Sequence, residues 1–66
     1  MKLAANSAAK EKVHCVIEHD ELVGYYVYAY KNDQLTHDYL QGTLDIAKQF
    51  ALRQFGVPLD AWKQVA

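Results

Sequence analysis

The sequence predicts a small α+β domain: a three-stranded antiparallel β-meander with one amphipathic helix packed on one face and a short C-terminal helical turn. Two segments, 12–18 and 22–30, alternate apolar and polar residues or are rich in Tyr and Val, which is typical of strands. A third run, Leu35–Leu40, follows a polar turn. Helical periodicity begins at Leu44 and continues to Phe55, so we expect one helix after three strands.

Length and composition limit the classes of function. The chain has 66 residues, enough for one domain with a marginal core. It is 52% hydrophobic and 23% charged, which is typical of a globular protein. Its formal net charge of −1 provides no basic excess to neutralise phosphates. This argues against nucleic acid as the main partner.

The N-terminal part of the chain predicts an arm rather than a core element. Residues 1–11 are rich in alanine, but the stretch is too short to be a stable helix alone. We expect a flexible or helical arm there and a single βββα domain over residues 12–66. Polar residues interrupt this start as they would not in a secretory signal, and no apolar run has the length of a membrane span. Cys15 is a lone cysteine, which favours a cytoplasmic protein.

Each of the first two predicted strands has one face for the core. The helix is expected to cover the face formed by Val13, Cys15, Ile17, Val23, Val27 and Ala29. The segment Lys31–Gln34 is typical of a hairpin turn, because Asn and Asp tolerate left-handed backbone conformations.

The predicted helix carries its own start and stop signals. Thr43 is a good N-cap, Gly56 stands where a left-handed residue ends a helix, and Pro58 prevents continuation. Residues 59–65 are expected to form one short helical turn that folds Trp62 onto the edge of the core.

The candidate site is the sheet face that a single helix leaves uncovered. Its expected partner-binding residues are Val16, Tyr26, Tyr28 and Tyr30. A contiguous tyrosine patch is typical of an association surface, because the ring is apolar and the hydroxyl tolerates water. The sequence therefore predicts a protein-binding module, either a homodimer or a complex with a small protein. Tyrosine is also common on solvated strands, and that interpretation stays open.

Binding of single-stranded nucleic acid is the alternative function, since exposed tyrosines can stack on bases. The basic residues that accompany such stacking are sparse, because Lys31 is the single Lys or Arg between Leu22 and Leu40.

Metal binding and catalysis have weaker support. The acidic and histidine residues at 18–21, with His14 and the pair at 37–38, have suitable ligand atoms, but their spacing matches no metal motif. Cys15 and His14 are neighbours on a strand and point to opposite faces, so they cannot form a nucleophile–base pair. We expect no enzyme activity, no metal and no cofactor.

Short motifs between residues 16 and 51 also carry a family resemblance. They are Val16-Ile17-Glu18, Asp20, Gly24-Tyr25-Tyr26-Val27, Gly42-Thr43-Leu44, Ala47 and Ala51. This pattern resembles the N-terminal domain of HicB-type antitoxins, and the stretch 39–57 also resembles helices of small bacterial strand-strand-strand-helix proteins without an assigned function. The antitoxin resemblance implies a partial ribonuclease-H-like fold that sequesters a small toxin. The Leu-Pro-Gly-Cys segment of that family is replaced here by residues 31–35.

Overall fold

The computed structural model describes residues 1–8 and 12–66, which form five strands and one helix. The elements are β1 (Lys2–Asn6), β2 (His14–Asp20), β3 (Gly24–Lys31), β4 (Gln34–Gln41), α1 (Leu44–Phe55) and β5 (Lys63–Gln64). The strands form one antiparallel sheet in the order β4-β3-β2-β1-β5. The fold is therefore α+β, but the three-stranded meander expected from the sequence is wrong.

The N-terminal strand β1 is the first reason for this correction. A flexible or helical arm is expected over residues 1–11, whereas Lys2–Asn6 pair with β2 and place Ala4 opposite Val16. Leu3 and Ala5 are buried in the core. Burial of these side chains outweighs the helix preference of alanine, because so short a helix has little stability of its own. Residues 9–11 of the expected arm lie outside the described residues.

The C-terminal segment is the second correction. The short helical turn expected over residues 59–65 is wrong, because the chain makes a single turn and then extends as β5. The turn is closed by the Ala61 N–H, which donates to the Pro58 carbonyl oxygen at 3.1 Å. Trp62 packs against the core, as expected from the sequence, and it contacts both clusters of buried residues. The anchored Trp62 ring holds the following residues beside β1, where they form the last strand of the sheet.

The hairpin between β3 and β4 confirms the turn expected at Lys31–Gln34. Lys31 pairs with Gln34, and the two residues between them have positive φ angles, 52° at Asn32 and 62° at Asp33. Asn and Asp are the non-glycine residues that adopt this conformation most readily. The tight turn fixes the register of β4 against β3.

The sequence predicts that Val23 lies beneath the helix, and this prediction is wrong. The turn between β2 and β3 explains why. The Asp20 carboxylate accepts hydrogen bonds from the N–H groups of Leu22 at 2.8 Å and Val23 at 3.2 Å. This Asx turn is formed before β3 begins at Gly24. Val23 is therefore a turn residue with 48% of its surface exposed, and Leu22 is 94% exposed.

The helix caps agree with the sequence signals. The Thr43 hydroxyl oxygen accepts a hydrogen bond from the Ile46 N–H at 3.1 Å, and Gly56 ends the helix with a φ of 72°. Ala47 and Ala51 are fully buried, so the helix approaches the sheet closely. The helix lies over β3 and β4.

The core lies wholly on the helix side of the sheet. One cluster of buried residues comprises Ala5, Cys15, Ala29, Ala51 and Val57, and the second comprises Leu3, Ile17, Val27 and Ala47. Trp62 contacts both clusters and closes the end of the core over β1.

Candidate functional site

The sheet face opposite the helix is the candidate site, and we call it the open face. Alternation along the strands and the cross-strand pairing assign its residues. The core of the domain and α1 both lie on the other side of the sheet. The members of the open face form three rows across the sheet: Leu40, Tyr26, Glu18 and Lys2; Asp38, Tyr28, Val16, Ala4 and Lys63; Leu35, Tyr30, His14 and Asn6.

Three aromatic side chains stand along β3 on the open face, and we call Tyr26, Tyr28 and Tyr30 the tyrosine ridge. The ring centroids of Tyr26 and Tyr28 are 5.9 Å apart with an interplanar angle of 21°. The Tyr30 ring lies 6.2 Å from the ring of His14 on the neighbouring strand. All three tyrosines are half-buried, because they shield one another while their outer surfaces remain in solvent.

A concavity lies beside the ridge, over β1 and β2, and we call it the β1–β2 groove. Its volume is about 850 Å³, and Tyr28 and Tyr30 line one side of it. The short side chains of Asn6 and Val16 lie within it. Ala4, on the same face of β1, has a single methyl group, which keeps this part of the surface low. The open face therefore has a high side over β3 and a low side over β1.

Charged residues of opposite sign stand at the two edges of the open face. Asp38 lies on β4 at one edge, and Lys63 lies on β5 at the other, in the same row. Glu18 and Lys2 are direct cross-strand partners nearer the middle. Partial desolvation raises the pKa of Tyr28 above its ordinary value, and the negative charges of Glu18, Asp38 and the neighbouring tyrosines add to this effect.

The structure brings together all four residues that the sequence places in the candidate site. Val16 is the direct cross-strand partner of Tyr28, and the other tyrosines flank it on β3. Sequence analysis does not include Leu35 and Leu40 of β4, which are 52% and 49% exposed. Leu35 and Leu40 are an odd number of positions apart, so alternation alone assigns them to opposite faces. A bulge that shifts the register between Ala29 and Tyr30 brings both onto the open face.

The acidic and histidine residues do not converge. Among the described residues, no three His, Cys, Asp or Glu side chains lie close enough to hold a metal ion. Asp20 caps the β2–β3 turn, and His14 makes a 2.9 Å hydrogen bond to Asn6 on the open face. His37 lies on the helix side, with its ring centroid 5.8 Å from that of Tyr39.

The single cysteine is a core residue. Cys15 is fully buried between Ala5 of β1 and Ala29 of β3. Burial raises the pKa of its thiol to about 11, which keeps it protonated and poorly nucleophilic near neutral pH.

In the part of the chain that the structure describes, no helix is long and apolar enough to cross a membrane. Comparison with known protein families, curated proteins and solved structures finds no match to this chain.

Proposed function

We propose that the protein is a protein-binding module that self-associates through its open face, with a second copy of the chain as its partner. The observation that carries this proposal is the tyrosine ridge standing beside the β1–β2 groove on one face of the sheet. Aromatic side chains that are half-buried in the free chain gain further burial on association at a low entropy cost, since tyrosine has few rotatable bonds. The exposed Leu35 and Leu40 extend the apolar surface beyond the ridge.

The size of the open face also supports a second copy. Five strands at a spacing of about 4.8 Å make a face roughly 20 to 25 Å wide, and the four longer strands, β1 to β4, are roughly 17 to 27 Å long. Overlap of two such faces covers on the order of 500 Å² of each copy, or about 1,000 Å² in total, which is the lower limit for a specific interface. We therefore expect a dimer that forms in the micromolar range or above rather than an obligate one.

Charge argues against single-stranded nucleic acid as the ligand of the open face. Lys2 and Lys63 are matched there by Glu18 and Asp38, so the face has no excess of cations to hold phosphates. A small foreign protein, as the resemblance to HicB-type antitoxins implies, would use the same apolar surface. The free, buried thiol of Cys15 fits the cytoplasmic location expected for the protein.

Sedimentation velocity over a range from about 1 µM to about 1 mM tests the proposal, since this range brackets weak dimers. The wild-type sedimentation coefficient is expected to rise with concentration. Tyr28→Ser is expected to weaken association at least tenfold, because it removes a central aromatic from both copies. Val16→Lys, which places a charge at the centre of the face, is a second disrupting variant.

Leu22→Ser is the matched control, since Leu22 is 94% exposed but lies in the β2–β3 turn, outside the strands that form the open face. It is expected to associate as the wild type does. A wild type that remains monomeric throughout the range would overturn self-association. Tight binding to a single-stranded oligonucleotide with a steep salt dependence would then favour the alternative function.

A further inference from the structure

The ridge lies on one side of the central strand, and the groove extends over that strand to its other side. In the order β4-β3-β2-β1-β5, strand β2 is the middle, with β3 on one side and β1 on the other. The ridge stands on β3, and the groove lies over β1 and β2. The open face is therefore shaped so that a copy of itself, turned about the line of β2, would present its ridge to this groove.

Two face-to-face arrangements of aligned sheets have twofold symmetry. An axis parallel to the strands places β3 of one copy over β1 of the other and β4 over β5. Each row of side chains then meets the same row of the partner. An axis perpendicular to the strands, in the plane of the interface, keeps every strand over its own counterpart and exchanges the outer rows. The two arrangements bring different side chains together.

The axis parallel to the strands gives complementary contacts in the middle row. The bulky Tyr28 meets the small Ala4, and Val16 meets its own counterpart at the axis. At the edges of the sheet, Asp38 of each copy meets Lys63 of the other. Large side chains thus oppose small ones, and opposite charges oppose each other.

The outer rows are consistent with the same axis. Tyr26 meets Lys2, whose stem and charge suit an aromatic face. Glu18 of one copy meets Glu18 of the other at the axis. Within each chain, Lys2 is the cross-strand partner of Glu18 and balances its negative charge. Tyr30 meets the shorter side chain of Asn6.

The perpendicular axis gives poorer contacts. It would set Glu18 against His14, which is favourable, but it would also stack one tyrosine ridge on the other and leave both grooves unfilled. In the middle row, Asp38 would face Asp38, and Lys63 would face Lys63. Like charges at both edges oppose association.

We infer that two copies of the chain pack open face to open face about a twofold axis parallel to β2, with each tyrosine ridge in the other copy's groove and Asp38 paired with Lys63. This inference rests on the proposed self-association and specifies its geometry. Asp38 and Lys63 are both exposed in the single chain, so their substitution leaves the core intact.

Charge exchange at the two edges tests the geometry. Asp38→Lys sets two ammonium groups against each other at both edges of the dimer, and Lys63→Asp sets two carboxylates against each other there. Each variant alone is therefore expected to self-associate about three to ten times more weakly than the wild type. In an equal mixture, a dimer of one copy of each variant pairs opposite charges at both edges. The introduced lysine at position 38 faces the introduced aspartate at position 63 at one edge, and native Lys63 faces native Asp38 at the other.

Sedimentation velocity of the mixture is expected to show stronger association than either variant shows alone. The double variant D38K/K63D exchanges the charges within one chain, so each edge again pairs a lysine with an aspartate. It is expected to associate like the wild type.

The possible results separate the geometry from the proposed function. A dimeric wild type whose two single variants associate as strongly as it does, with no gain on mixing, would overturn the geometry but leave self-association standing. Under the perpendicular axis, position 38 of one copy faces position 38 of the other. If Asp38→Lys bound the wild type more strongly than either chain binds itself, that axis would be assigned instead. A monomeric wild type would overturn both proposals.

Discussion

Replacing Gly24 by alanine is expected to remove most of the folding free energy of the domain. Gly24 begins β3 with a φ of 125°, which side-chain-bearing residues rarely adopt. A Cβ at this position would lie 2.5 Å from the Gln41 backbone oxygen on β4, so the paired strand backbone would have to move. Backbone strain and overpacking each cost about 1 to 3 kcal/mol. A domain of this size has a total stability of only about 3 to 5 kcal/mol.

Thermal and urea unfolding at a fixed protein concentration measure this effect, since dimer formation makes stability depend on concentration. We expect the Gly24→Ala midpoint to fall by more than about 10 °C, or the variant to be unfolded at room temperature. Gly42→Ala is the matched control, because a Cβ there meets no atom within 4 Å and its φ is not positive. It is expected to be neutral or slightly stabilising. Equal midpoints for the two variants would contradict the close contact at Gly24.

Replacing Trp62 by alanine is expected to have the second largest effect, a loss of about 3 kcal/mol. Among the described residues, Trp62 alone packs directly against both clusters of the core. Its removal also frees β5, which pairs with β1 over two residues. We expect reduced stability in urea and faster hydrogen exchange at the Val65 amide, which donates to the Lys2 carbonyl oxygen.

Two further variants separate the packing of Trp62 from its polarity. The Trp62 Nε1 is buried and makes no hydrogen bond to the described residues. Trp62→Phe keeps an aromatic ring and removes this unpaired donor, so we expect a loss well below that of alanine. Leu59→Ala, at a position 49% exposed, is expected to change stability by less than about 0.5 kcal/mol. A Leu59 variant as unstable as Trp62→Ala would show that general loss of apolar surface, rather than the joining of the clusters, is responsible.

The middle of the fold is predictable from the sequence because its signals are local. Asn32 and Asp33 adopt the left-handed turn that their side chains favour. Thr43 and Gly56 end the helix by hydrogen bonds and a backbone conformation that depend on residue type. Alternation along β2 and β3 then assigns Cys15 and the tyrosine ridge to opposite faces without reference to the rest of the chain.

The two ends of the chain cannot be predicted in the same way. In β1 the central residues are both alanine, so Ala5 inside and Ala4 outside give no hydrophobic contrast. Strand β5 has two residues, and its conformation depends on pairing with β1 and on the position of Trp62. These are long-range effects that a local pattern does not contain.

The candidate site is predictable only in part for the same reason. The ridge follows from alternation along a single strand, but the groove requires β1, a strand that the sequence does not reveal. Lys63 likewise enters the open face only because β5 joins the sheet. The self-complementary shape and charge of the face are therefore properties of the folded chain.

The most direct measurement of the central claim compares the solvent accessibility of side-chain protons at low and high protein concentration, using an uncharged soluble paramagnetic agent and nuclear magnetic resonance. If two copies pack through the open face, the ring protons of Tyr26, Tyr28 and Tyr30 are expected to become protected at high concentration. The methyl groups of Leu22 and Ile46, which are 94% and 48% exposed away from the open face, are expected to stay accessible. Tyrosine rings that remain equally accessible while the chain dimerises, or protection centred on Ile46, would show that the chain does not dimerise through the open face.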